Sequence, residues 1–276
     1  MDKQPMIAFI GAGHMTKSLI SGLIESGIEA SRLWVTDRHP EKLKQLAKKF
    51  GLQTDTSNLR AAKLADVLVL SVKPQDIHAL AIELKDVLHA KKPLIISIAA
   101  GIHTQHLEEW LDASLAIVRA MPNTPALLRA GATGLYANAR VSDAERDLAE
   151  SLLRAVGVTV WLNHEHDLDI VTALSGSGPA YFFLIMEALQ QGAEALGLSS
   201  RIAKLLTLQT ALGAARMALE SEVDLKELRV GSTSPGGTTE RGLEALEKGG
   251  IRELLQNALQ SAKERSVEIS QLFDKE

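Results

Sequence analysis

The chain has 276 residues, 46% apolar and 23% charged, with a net charge of −4. That length can hold two domains, and the charge balance lacks the basic excess of a protein that binds nucleic acid or anionic membrane, so small-molecule ligands are expected. The absence of cysteine excludes a disulfide framework, thiolate metal sites and a cysteine nucleophile.

Glycines interrupt the first apolar run too early for a secretory signal, and the apolar runs at 67–72 and 181–186 are far shorter than a membrane span. The protein reads as cytoplasmic.

Met6-Ile7-Ala8-Phe9-Ile10 is a continuous apolar run that stops at Gly11-Ala12-Gly13, after which Met15, Leu19, Ile20, Leu23 and Ile24 recur at helical spacing. This predicts strand, tight turn and helix. Gly11 permits the turn and Gly13 lets a pyrophosphate approach the amides of the helix N-terminus, the physical content of a dinucleotide fingerprint. The fingerprint's third small residue is replaced by Thr16, which requires either a wider helix–strand spacing or a hydroxyl bonded back to helix carbonyls. A plain strand–turn–helix without a nucleotide is the competing reading.

The next strand, Leu33-Trp34-Val35-Thr36, ends at Asp37-Arg38, where an adenosine ribose is read. Asp37 favours NAD by accepting from both ribose hydroxyls; Arg38, with Thr36 and Lys42 on the rim, favours the 2′-phosphate of NADP. The balance of charge leans to NADPH, with NADH as the alternative.

A weak strand near Leu52 and a short helix from Ser57-Asn58 lead to a buried strand over 66–72 that ends in Lys73-Pro74, with Pro74 opening a helix. Leu94-Ile95-Ile96-Ser97-Ile98 is another buried strand, ending in Ala99-Ala100-Gly101, small enough for a nicotinamide to lie close to the backbone. Residues 116–120 lead into Met121-Pro122-Asn123-Thr124-Pro125, a loop stiffened by two prolines, in which Asn123 and Thr124 offer hydrogen-bonding groups. Edge strands are expected over 131–137 and 158–162, with a helix over 143–155 between them. Alternating strands and helices predict a doubly wound sheet.

Beyond Asp167 strand patterns vanish and alanine- and leucine-rich helical periodicity takes over. The expected domains are 1–164 and 165–276. In Ser175-Gly176-Ser177-Gly178-Pro179-Ala180-Tyr181, Ser177 reads as an N-cap and Pro179 as an early-turn proline of a helix over 182–196. Further helices are expected over 199–220, 224–228, 239–247 and 251–272, too many apolar faces for one such domain to bury, so it should dimerise. Ser234-Pro235-Gly236-Gly237-Thr238-Thr239 opens directly into one of these helices. The amides of Gly237, Thr238 and Thr239 would be first-turn donors able to hold a small carboxylate; a well-capped helix is the plainer alternative. The histidine pairs 103/106 and 164/166 lack a third ligand at a defined spacing, so no metal site is expected.

Gly11-x-Gly13, Ser71-Val72-Lys73-Pro74-Gln75, Met121-Pro122-Asn123-Thr124-Pro125, Ser175-Gly176-Ser177-Gly178-Pro179-Ala180-Tyr181 and Ser234-Pro235-Gly236-Gly237-Thr238-Thr239 occur in the order seen in the pyrroline-5-carboxylate reductase family, which the chain resembles from end to end. The resemblance implies a Rossmann-type domain followed by an all-α dimerisation domain. It also implies NAD(P)H-dependent reduction of L-1-pyrroline-5-carboxylate to L-proline, the last step of proline biosynthesis, in dimers that in some members form decamers.

The candidate cofactor-binding residues are Gly11, Gly13, His14, Met15, Asp37, Arg38, Asn58, Val72, Lys73, Pro74, Ala99 and Asn123. Ser234, Gly237, Thr238 and Thr239 resemble the substrate loop, with the Thr239 hydroxyl set at the ring nitrogen. Two other readings stay open: a β-hydroxyacid-type dehydrogenase, for which Lys204 is the candidate acid/base, and a non-catalytic NADP-binding regulator.

Overall fold

The computed structural model describes residues 4–111 and 114–273. Its first part alternates strand and helix: β1 Ile7–Ile10, α1 His14–Glu25, β2 Leu33–Thr36, α2 Pro40–Phe50, β3 Gln53–Asp55, α3 Asn58–Leu64, β4 Val67–Leu70, α4 Pro74–Lys91, β5 Leu94–Ser97, α5 Thr104–Leu111 and β6 Ile117–Met121. β7 Gly131–Ala137, α6 Asp143–Arg154 and β8 Gly157–Trp161 complete an eight-stranded sheet of order β3-β2-β1-β4-β5-β6-β7-β8.

Every strand pair is parallel except β6 with β7. β1, β4 and β5 are buried along their whole length because helices cover both faces. Alternate residues feed two cores: Ile7 and Phe9 pack with Leu19, Leu23 and Val35 on one face, and Ala8 and Ile10 pack with Ile77, Leu84 and Ile95 on the other. The β7 segment, expected at an edge, lies inside the sheet between β6 and β8; of those two expected edge strands only β8 is at an edge. Pairing across the sheet, which strand-by-strand periodicity does not encode, decides this. Helix α5, unexpected from the sequence, buries Leu107 and Leu111 against the second core.

The helical part comprises α7 Asp167–Val171, α8 Gly178–Ala195, α9 Ser200–Glu220, α10 Leu225–Gly231, α11 Thr238–Lys248 and α12 Ile251–Gln271. Between α7 and α8 the chain makes a π-helical turn, Thr172–Gly176, in which the Ser177 amide donates to the Thr172 carbonyl at 2.9 Å. Ser177 has right-handed helical backbone angles, φ −84° and ψ −24°. It therefore continues the helical path instead of capping a new helix as expected. The helical stretch Asp167–Ala195, which contains an 18-residue window of mean hydropathy 1.4, is long and apolar enough by length and composition to cross a membrane, longer than the apolar runs of the sequence suggested.

The chain divides into two compact units. One runs to Ser177 and resumes at Ala262; the other is Gly178–Ser261. Helix α7, which lies beyond the boundary expected between residues 164 and 165, packs on the sheet within the first compact unit: a Cβ on Gly134 of β7 would meet Val171 at 2.8 Å. The last turns of α12 rejoin that unit, where Ser266 donates to the Asp169 carboxylate at 2.7 Å. Within the second unit, α8 and α9 pack together and bury Ala203, while Phe182, Phe183, Leu184, Leu205, Leu206 and Leu212 remain exposed.

Candidate active site

The carboxyl ends of β1, β2 and β4 open onto a groove of about 350 Å³ lined by Gly11, Ala12, Gly13, Asp37, Arg38, His39, Lys42, Asn58, Ser71, Val72 and Lys73, with Asp76, Leu80 and Glu83 from α4. Gly11 has φ +109°, and a Cβ there would lie 2.7 Å from the Ser71 carbonyl oxygen, so only glycine fits. Gly13 has ordinary extended angles, and a Cβ added to it would meet nothing within 4 Å, which leaves open space over the first turn of α1. First-turn amides beside open space suit a pyrophosphate, and the residues present therefore fit a dinucleotide.

Thr16 is fully buried. Its hydroxyl donates to the Gly11 carbonyl at 2.7 Å and lies 2.9 Å from the Ser71 hydroxyl. It bonds to the turn and to the residue that follows β4, not to the helix carbonyls that were one of the two arrangements open from the sequence, and so fastens the glycine turn.

Asp37 is turned inward: its carboxylate accepts from the Ala12 amide at 2.9 Å and from the His39 amide at 2.9 Å, and lies 2.8 Å from His39 Nδ1. Burial alone would raise its pKa; the bonds from Ala12 and His39, aided by the charge of Lys42, outweigh this and hold it below its ordinary value. Arg38 and Lys42 are exposed on the rim. Asn58 accepts from the Thr36 hydroxyl at 2.7 Å and donates to Glu83 at 3.1 Å, linking β2 to α4 across the groove.

Of the other candidates, His14 is exposed at the start of α1, Met15 packs partly on the core, Pro74 opens α4, and Ala99 is buried just beyond β5. The Asn123 side chain is engaged at both ends, donating to the Ser175 carbonyl and accepting from the Ala132 amide, each at 2.9 Å, so it joins the loop after β6 to the π-helical turn. Sequence reasoning missed Ser71, His39, Asp76 and Glu83 as groove residues. The spacing of Asp76, Leu80 and Glu83 along one face of α4 was the signal available.

In the other unit, Ser234–Gly237 form a turn closed by the Gly237 amide on the Ser234 carbonyl at 3.0 Å, with Gly236 at φ +70°. Proline second and a left-handed glycine third are what a type II turn requires. Gly237 is the N-cap of α11, and its amide, expected to face a ligand, is already engaged by the turn. The Glu240 carboxylate accepts from the Gly236 amide at 2.7 Å. The amides of Thr238 and Thr239 remain as first-turn donors, which have no partner within the helix. Lys204 is exposed on α9.

A buried polar cluster lies where the start of α7 meets the sheet. Glu165 accepts from the Thr104 amide at 2.6 Å, the Thr104 hydroxyl at 2.7 Å and Arg119 at 2.8 Å. Burial would raise the Glu165 pKa, but Arg119 and Thr104 more than offset it and keep the carboxylate ionised. Ser270 donates to the Ser266 carbonyl, so its oxygen accepts from His103 Nε2, 3.1 Å away. Burial, reinforced by Arg119, lowers the His103 pKa despite Glu165 and Asp169, and holds the ring neutral.

A doubly wound sheet with a glycine turn at a helix N-terminus and an Asp-Arg pair at the end of the second strand has the form of a nicotinamide-nucleotide oxidoreductase. In keeping with this, residues 6–101 match the family model described as NADP oxidoreductase, coenzyme F420-dependent, and residues 165–269 match pyrroline-5-carboxylate reductase dimerisation. The chain is 51% identical to a Pseudomonas aeruginosa pyrroline-5-carboxylate reductase over 97% of both chains. It is also similar to the solved structure of a Coxiella burnetii pyrroline-5-carboxylate reductase (TM-score 0.93, 50% identity, 97% of this chain and 99% of that one). A Plasmodium falciparum pyrroline carboxylate reductase solved with NADP bound gives a TM-score of 0.86 at 31% identity, covering 97% and 98%. The chain belongs to the pyrroline-5-carboxylate reductase family.

Proposed function

We propose that this enzyme reduces the cyclic imine L-1-pyrroline-5-carboxylate to L-proline, closing proline biosynthesis, with NADPH as the preferred reductant. What carries the reading is a nucleotide groove and a separate small-anion cradle on one chain whose match to its relatives is end to end. When bound, the reduced nicotinamide supplies a hydride to the imine carbon.

The chain's own residues then bind and align. First-turn amides of α1 hold the pyrophosphate, and Lys73 and Val72 flank it. Arg38 and Lys42 face the 2′-phosphate, while Asp37, engaged with Ala12 and His39, is drawn away from the ribose role that would favour NADH. The amides of Thr238 and Thr239, with Ser234 on the rim of the turn, anchor the substrate carboxylate, and the Thr239 hydroxyl hydrogen-bonds the ring nitrogen.

A protonated imine is already electrophilic, so alignment supplies most of the catalysis, about 7–11 kcal/mol of barrier lowering in well-oriented systems. This accounts for a reaction served by glycine turns and hydroxyls. The exposed apolar faces of α8 and α9 support a homodimer formed by the helical domain at 165–276, with the nucleotide domain at 1–164 and the protein at work in the cytoplasm. Larger assemblies, including a decamer, would be built from such dimers.

The deciding assay follows loss of the reduced nicotinamide absorbance with pyrroline-5-carboxylate and detects proline, with NADPH and then NADH. Binding of NADPH without proline formation would refute the activity, and equal rates with both reductants would refute the preference. Sedimentation with assay of the fractions tests the dimer, whose monomer is expected to be inactive.

A further inference from the structure

The segment that follows β5, residues 99–104, is contacted by both ends of the region matched to the dimerisation family, residues 165–269. From its beginning, Glu165 grips Thr104 through the backbone amide and the hydroxyl. From its end, Ile269 sits so close to Gly101 that a Cβ there would meet its Cγ2 at 2.6 Å, and Gly101 has φ +76°. Just beyond, Ser270 accepts from His103. The same Glu165 carboxylate accepts from Arg119 on β6, two residues before the Met121 that ends that strand.

One side chain therefore fixes α5, and the turn before it, against β6. The Glu165 and Arg119 side chains are only 17% and 7% exposed. A buried ion pair contributes little net stability over an apolar pair of the same volume, whereas its directional bonds restrict the backbone to one arrangement. Here three donors converge on a single carboxylate, and the segment they restrict is the small-residue turn at the carboxyl end of a central strand.

We propose that Glu165 is a positioning residue for hydride transfer: through Thr104 and Arg119 it restricts the Ala99–Gly101 turn, whose small residues would let a nicotinamide lie against the backbone. This rests on the proposed reductase activity for its kinetic consequence and on the geometry alone for its structural one. Glu165 does not line the nucleotide groove; it acts by removing freedom from the backbone after β5. Misplacement by about 1 Å can lower turnover as much as a hundredfold without loss of binding.

The test uses the full-length enzyme and the variants E165Q, T104V and T104S. Gln offers one carbonyl acceptor to three donors: whichever way it turns, its NH2 group faces either the Thr104 hydroxyl or the Thr104 amide and Arg119, and Arg119 loses its counter-charge. Two measurements are made. Amide hydrogen exchange over residues 98–104 of the cofactor-free protein should quicken by about tenfold or more in E165Q and T104V, with the β1 and β4 amides unchanged and T104S like the parent. Turnover at saturating substrates should fall by about ten- to a hundredfold in E165Q and less in T104V, with the NADPH dissociation constant within about twofold and T104S restoring the parental rate.

Unchanged exchange at 98–104 in folded E165Q or T104V overturns the proposal. So does a loss of turnover matched by equal loss of NADPH binding and of global protection, the pattern of a purely structural residue. If E165Q does not fold, the comparison of T104V with T104S decides on its own. If the parental enzyme forms no proline, the reductase reading fails, while the exchange result still judges whether Glu165 holds the turn.

Discussion

Gly11 and Gly13 look alike in the sequence and should respond differently to the same methyl group. At Gly11 the backbone is in a region that L-residues rarely adopt, φ +109°, at a cost of about 1–3 kcal/mol for a side chain. Its Cβ would also lie 2.7 Å from the Ser71 carbonyl oxygen and 2.9 Å from its carbon, about 0.7 Å inside ordinary contact with that oxygen. The turn cannot retreat, because the Gly11 amide donates to the Thr36 carbonyl at 2.8 Å and its own carbonyl accepts from Thr16.

Gly11→Ala should therefore lose about 3 kcal/mol or more of stability, a fall in melting temperature of about 6–12 °C for a domain of this size. NADPH binding should be lost with it. At Gly13 the angles are ordinary, φ −73°, and no atom lies within 4 Å of the added Cβ. Gly13→Ala should leave the melting temperature of the cofactor-free protein within about 2 °C and still weaken NADPH binding by tenfold or more, because the methyl occupies the pyrophosphate's path. Thermal melts without cofactor and fluorescence titration with NADPH decide the matter. Equal effects of the two substitutions on melting, or parental NADPH affinity in Gly13→Ala, would refute the assignment of one glycine to the fold and the other to the ligand.

Arg38→Ala is expected to lower kcat/KM for NADPH about tenfold while leaving NADH within about twofold, since only the former carries the 2′-phosphate; equal losses would move the 2′-phosphate elsewhere. Thr239→Ala should reduce turnover by about ten- to a hundredfold without abolishing it, and complete loss in a folded variant that binds NADPH would count against a purely orienting hydroxyl. Stability should decline with acid in two stages. His103 has a folded pKa below 6.5, so as pH falls through 6.5 the unfolded chain takes up that proton first and stability drops; Glu165 and Asp37, depressed below 4.5 and 3.8, add stability above those values that is lost as pH falls beneath them. Urea midpoints across pH should show the upper stage vanish in His103→Gln, which keeps a donor for Ser270, and persistence of that stage would place the titration elsewhere.

The features legible in the chain were those set by near neighbours. The run 6–10 gave a strand because an unbroken apolar stretch ends in glycines, and Pro74 opened a helix because it needs no amide partner there. The turn at 234–237 was readable for the same reason: Pro and Gly at adjacent positions leave few backbone choices. Tertiary structure decided whatever depends on partners far along the chain. It placed β7 inside the sheet, turned Asp37 toward the Ala12 amide, replaced the Ser177 cap with a π-helical turn clasped by Asn123, and brought Thr104 of α5, Arg119 of β6 and Glu165 of the β8–α7 connection together. Periodicity shows which face of an element is buried; which donor meets which carboxylate depends on how the elements pack, and no spacing in the sequence states it.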